Sequence, residues 1–282
     1  MQNQLKLNLE NHLNQIAIQR DPYLATGGHL LIKEYIRQEF AQVGVVETQH
    51  FNANGRVYDN LILNLNSNPA NSHQPVLLIT AHYDSVIGSP GADDNATGVA
   101  VLLELAKYFS TQTTRFPLRL IAFDFEEFAL LGSKAYVELL QQLRQKVRLM
   151  LNLEMLGYCD ARPGSQRYPP GLSSFYPSTG NFIALVGNLR TIPDLIQIRR
   201  HLRQAGALCE WLPVPFAGHI VPDTRRSDHA SFWDAGYSAI LVTDTSNLRN
   251  PNYHTANDTV ATLDLEFLTA VCQGLIGAIA HL

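Results

Sequence analysis

The sequence predicts an α/β fold, a three-layer sandwich with a mostly parallel mixed central sheet and helices on both faces. Three observations predict it. Short apolar runs such as residues 76–80 (VLLIT) have the length and composition of strands buried on both sides. Stretches with helical spacing alternate with them over residues 76–153, the order that builds a parallel sheet. The chain has 282 residues, 46% of them hydrophobic, enough to bury one substantial core, so residues 1–282 are expected to form a single domain.

In chain order, apolar residues recur at helical spacing over residues 5–20 and 29–42, predicting two outer helices. Gly44 breaks the second, and residues 45–51 and 57–65 read as strands, followed by the central strand at 75–80. A helix over 97–109, a strand at 118–125, a helix over 128–142 and a strand at 147–153 continue the alternation. Strands resume at 182–186 and 239–243, with a helix over 192–204 between them and a closing helix from Asp264 onward. Residues 160–180 shift to Pro, Gly, Ser and Tyr, and 212–226 form a second such loop. The sequence alone leaves open whether these wall a pocket or are idle excursions.

Composition removes several function classes. A net charge of -4 with 21 basic residues provides no positive field for nucleic acid or an anionic membrane. No run approaches the roughly 18 apolar residues of a membrane span, and the first residues lack the apolar core of a signal peptide. Cys159, Cys209 and Cys272 are too few and too scattered for a disulfide framework or a cysteine-ligated metal. A cytoplasmic location with reduced thiols is the expectation. A monomer is compatible with the sequence, which fixes no oligomeric state.

Five segments place acids or imidazoles where strands end. In His82-Tyr83-Asp84, side chains two apart on an extended chain point the same way, so the carboxylate can stand behind the imidazole. Asp93-Asp94-Asn95 opens a helix, and an isolated Asp there would serve equally as a cap. Asp124-Phe125-Glu126-Glu127 ends a hydrophobic strand with carboxylates that burial would not tolerate without cations. Glu154 ends another, and His254 sits in a polar loop after Tyr253 and before Asp258. Singly each has a bland reading. Together His82, Asp94, Glu127, Glu154 and His254 make a nitrogen and oxygen donor set suited to two zinc ions, with three carboxylates and a hydroxide balancing their charge.

The ordered segments HYDS, GADDNATG, FEE, NLEM, RRSDHASFWDAG and NPNYHTANDT resemble the co-catalytic zinc aminopeptidases, a family that includes bacterial leucyl aminopeptidases and, more distantly, glutamate carboxypeptidases and glutaminyl cyclases. The resemblance implies a zinc exopeptidase fold and removal of amino-terminal residues from peptides with a free amino terminus. It implies that His82 and Glu154 bind one zinc, Glu127 and His254 the other, and that Asp94 bridges them. Asp84 would orient His82, and Glu126 would act as the general base that passes a proton from water to the leaving amine. Tyr253 would stabilise the oxyanion, and Arg226 matches an arginine that reaches a substrate carboxylate in some relatives. Glu154 departs from the pattern, because bacterial members carry aspartate there, so one or two zinc ions are both compatible with the match. The alternatives are a glutaminyl cyclase, against which Tyr253 stands where such relatives carry tryptophan, and a peptidase-like binding module, which would have lost ligands that this chain keeps. Zinc deacylases and dipeptidases add a lid domain for which the chain is too short.

Overall fold

The computed structural model describes residues 2–65 and 74–282. Helices α1 (Gln2–Ile16) and α2 (Thr26–Ala41) come first, then strands β1 (Val46–Ala53), β2 (Arg56–Leu65) and β3 (Val76–His82). They are followed by α3 (Gly98–Phe109), β4 (Leu118–Phe123), α4 (Leu131–Gln142), β5 (Val147–Glu154), β6 (Ile183–Asn188), α5 (Ile192–Gln204) and β7 (Cys209–Val214). The chain closes through α6 (His229–Asp234), β8 (Ala239–Thr243) and α7 (Leu265–Ile279). The strands form one eight-stranded sheet in the order β1-β2-β4-β3-β5-β8-β6-β7.

The sheet is parallel through its centre, where β4, β3, β5 and β8 run side by side. It is antiparallel where β1 and β2 join and where β6 meets β8. Side chains alternate across the pleat, so Leu77 and Ile79 of β3 pack on one face and Val76 and Leu78 on the other. The first face is covered by α1, α2, α3, α5 and α7 through residues such as Leu13, Ile36, Leu102, Ile198 and Leu275. The second is covered by α4 and α6 through Tyr136, Leu140, Phe232 and Trp233. That makes three layers, and each fully buried Leu or Ile contributes about 1.5–3 kcal/mol of transfer free energy. All seven residues of β3 are buried, as a continuous apolar run predicts for a central strand.

The parallel strands bring their carboxyl ends to one edge, which carries His82 at the end of β3, the Asp124–Glu127 run after β4 and Glu154 at the end of β5.

Several boundaries differ from expectation for identifiable reasons. α1 stops at Ile16 rather than Arg20, because residues 17–20 peel away and Arg20 enters the core. β4 ends at Phe123, since Asp124 turns out of the strand and Phe125 takes a left-handed φ of 57°. Left-handed Ala129 and Leu130 delay α4 to Leu131. β7 and α6 were not expected: the half-exposed WLP of β7 lacks alternation, and α6 is six residues long. Cys159, Cys209 and Cys272 are free thiols. Among the described residues no helix is long and apolar enough to cross a membrane.

Candidate metal centre

The strand ends converge on one cluster. His82 Nε2 lies 3.2 Å from Asp94 Oδ1 and 3.4 Å from Glu154 Oε1. His254 Nε2 lies 3.1 Å from Asp94 Oδ2 and 3.2 Å from Glu127 Oε2. Each imidazole thus faces its own oxygen of Asp94, and each pairing adds one further carboxylate. Donor atoms set tetrahedrally at zinc's usual bond lengths stand about 3.3 Å apart, close to these separations.

Local folding aims each group. β3 delivers His82, and Asp84 two residues on lies with Oδ1 3.3 Å from its Nδ1. Asp84 also accepts from the backbone amides of Glu126 and Glu127 at 3.1 and 3.2 Å, so one carboxylate holds two segments of the cluster. Phe125 is anchored among Tyr23, Phe51, Tyr58 and Phe128. With its ring fixed and its φ left-handed, Glu126 and Glu127 turn toward the metal edge. Met155, next to Glu154, and His254 itself also have positive φ, at 52° and 59°. Such conformations persist only where surrounding contacts enforce them.

Asp94 and Asp93 diverge. Asp93 turns inward to accept from Gly157 N and Asn250 Nδ2, whereas Asp94 enters the cluster, and neither caps α3. Asp258 receives both of their backbone amides, at 2.9 and 3.1 Å. Asn95 ties the turn to β5 by donating to Leu153 O and accepting from Met155 N. Gly98 is required at this junction, because a Cβ there would lie 2.7 Å from Leu153 O.

Two contributors escaped the sequence reading. Ser227 donates to Glu154 Oε2 at 2.6 Å and accepts from Asn152 Nδ2, which leaves Glu154 Oε1 facing His82. It lies inside RRSDHASFWDAG, but nothing in that string says which of its polar side chains turns inward. The second is Arg20, whose Nη2 donates to Asp94 O at 3.3 Å.

The electrostatics describe a site short of positive charge. Burial opposes charge on His82, yet Glu154 and Glu126 raise its pKa well above the ordinary histidine value. Burial likewise opposes charge on His254, and Asp94 and Glu127 push it up to about 10. Burial and then the Asp94 charge raise Glu127 to about 7. Burial would raise Asp94 as well, but hydrogen bonds from His254 and His82 bring it below the usual carboxylate range. Glu127 Oε1 is buried without a hydrogen-bond partner among the described residues. An orphaned carboxylate oxygen, two sets of three donors sharing Asp94, and imidazoles drawn toward the cationic form all fit divalent metal ions. His82 with Asp94 and Glu154 would hold one ion, and Asp94 with Glu127 and His254 the other.

Of the remaining residues singled out from sequence, Glu126 sits beside the cluster, its Oε2 3.9 Å from His82 Nε2. Its pKa is raised well above the usual range, first by burial. Tyr253 stacks on His254 with ring centroids 3.7 Å apart, and burial raises its pKa. The exposed Arg226 donates to the Tyr253 hydroxyl at 3.1 Å. All three line a cavity of about 420 Å³ that opens beside Asp94, Glu127, Glu154 and His254.

The cavity's far wall is apolar, built by Phe182, Ala184 and Val186 before and in β6, Leu212 in β7 and Leu241 in β8. Tyr168, Leu172 and Tyr176 come from the 160–180 loop and Asp223 to Arg226 from the second loop, so both loops are pocket walls. Of the charged residues on that side, Glu210 and Arg225 are paired, with Arg203 and Asp234 respectively, and Asp223 is exposed.

Comparison with known proteins places these observations in a family. The pattern described as peptidase family M28 matches residues 60–194. The uncharacterized protein YfbL of Escherichia coli (strain K12) is 36% identical over 259 residues, which span 86% of this chain and 77% of YfbL. The structure of BSAP, a zinc aminopeptidase from Bacillus subtilis, superposes with a TM-score of 0.59 at 25% identity, covering 80% of this chain and 50% of that one. LapA of Legionella superposes over 99% of this chain and 72% of its own, with a TM-score of 0.74 at 20% identity, a likeness of fold.

Proposed function

The chain belongs to peptidase family M28, and from that premise we propose that it is a zinc-dependent exopeptidase that removes amino-terminal residues from peptides. The observation that supports this reading best is the shared Asp94, each of whose oxygens faces a different histidine and a different second carboxylate.

Bound zinc would supply Lewis acidity toward the scissile carbonyl and an acidified water. The chain's own residues do the rest. Glu126 lies beside the donor set, where its carboxylate can take a proton from water and release it to the departing amine. Asp84 keeps it there by holding the Glu126 and Glu127 amides. The Tyr253 hydroxyl, accepting from Arg226, is free to donate its own hydrogen to an oxygen that gains negative charge. The acidic edge of the cavity suits the free ammonium of a peptide, and the apolar wall suits its first side chain. Since Glu210 and Arg225 are already paired, the preferred first residue is large and apolar, leucine or phenylalanine in type. The free thiols fit a reducing compartment, and we assign the cytoplasm.

Glu126→Ala tests the assignment of roles. Bound zinc, measured on the purified protein, is expected to stay near the wild-type content while turnover falls about 10²–10⁴-fold. Retained turnover would remove Glu126 as the base, and lost zinc would make it a ligand.

A further inference from the structure

Arg20 lies in the segment that leaves α1, far in sequence from every residue of the cluster, and its side chain is fully buried. A buried guanidinium is ordinarily matched by a carboxylate. Here every hydrogen-bond acceptor of the side chain is a main-chain carbonyl. Nε donates to Tyr83 O at 2.7 Å, and Nη1 to Pro90 O at 2.5 Å, Ile18 O at 3.2 Å and Ile16 O at 3.4 Å. Nη2 donates to Gly91 O at 2.9 Å and Asp94 O at 3.3 Å. Two of the segments so gripped bear metal-cluster residues: Tyr83 follows His82, and the 90–94 turn ends in Asp94. Gly91 sits against the guanidinium, and a Cβ there would lie 3.0 Å from both Nη atoms.

We propose that Arg20 is a positioning residue of the metal centre, a clamp that fixes the Asp94 turn against the end of β3 so that the two oxygens of Asp94 face the two histidines. The proposal rests on the zinc reading given above. Two effects of the side chain oppose each other. Its positive charge stands near Asp94, Asp258, Asp84 and Glu127 and by Coulomb's law weakens cation binding. Its hydrogen bonds hold the bridging carboxylate in place and strengthen binding. The planar five-donor fork fits this set of carbonyls, and the geometric effect dominates.

The sign of the effect decides between them. Zinc affinities of wild type, Arg20→Met and Arg20→Lys are measured by competition with a chromophoric chelator, with Ile198→Ala, in the buried core under α5, as a core variant destabilised away from the site. Arg20→Met is expected to weaken the bridged pair of ions at least tenfold, with Arg20→Lys intermediate and Ile198→Ala unchanged. Unchanged or tighter zinc binding by Arg20→Met would overturn the clamp and leave only the charge effect. An equal loss in Ile198→Ala would overturn it too, reducing Arg20 to general stability. If Arg20→Met does not fold, Arg20→Lys decides: wild-type affinity overturns the proposal and weakened affinity supports it. A wild-type protein that binds no zinc would instead overturn the zinc reading on which the clamp depends.

Discussion

His229 begins α6 as a fully buried side chain whose Nε2 donates to Thr224 O at 2.7 Å while Nδ1 has no partner among the described residues. Burial lowers its pKa to about 4, against an ordinary value of 6.5. A base with a depressed folded pKa contributes full stability above pH 6.5 and loses it as pH falls from 6.5 through 4, because the unfolded state takes the proton first. Denaturant titrations of wild type and His229→Gln are therefore expected to diverge over that window, the wild type losing about 3 kcal/mol more than the variant. Parallel pH profiles would contradict this. At the same scale the sequence was informative wherever spacing fixed direction. His82 and Asp84 face the same way because they are two apart on an extended chain, and Glu154 closes a strand whose apolar run is visible. It was uninformative wherever a side chain acts through tertiary contact. Arg20 lies in an unremarkable string and Ser227 in a matched segment that does not mark it, and only the folded chain shows them meeting Asp94 O and Glu154 Oε2.

Among the elements, β6 and β7 line the apolar side of the cavity, and the strands that hold the cluster line its acidic side. Ala184 faces the cavity from β6, and a larger side chain there fills the apolar wall without touching the metal edge. Ala184→Phe is expected to raise KM for leucine and phenylalanine anilides about tenfold or more while sparing the alanine anilide. A uniform loss across all three would contradict this placement of the first side chain. The central strands were legible because burial on both faces writes a continuous apolar run, as in β3. β7 was not, because it is an edge strand whose residues 210–213 are half-exposed and include a proline. Strand ends at the cluster were misjudged by a residue or two because left-handed residues such as Phe125 stop the ladder, and a side-chain pattern does not report φ.

For the whole molecule, one sheet runs from β1 to β7 and one cluster of buried residues joins α1 and α2 to α7. We propose that the chain is a single cooperative domain. Unfolding followed by helical circular dichroism and by the fluorescence of Trp211 and Trp233 is expected to give coincident transitions, and two separated midpoints would contradict this. The same centre that links β3, β4 and β5 at their ends would set the chemistry. The most direct test is hydrolysis of a panel of aminoacyl nitroanilides by the zinc-loaded protein, each substrate offered with a free and with an acetylated amine. Cleavage is expected of free amines only, fastest for leucine or phenylalanine and abolished by chelator. Cleavage of the acetylated series alone, or of amino-terminal glutamine by cyclisation in place of hydrolysis, would contradict it.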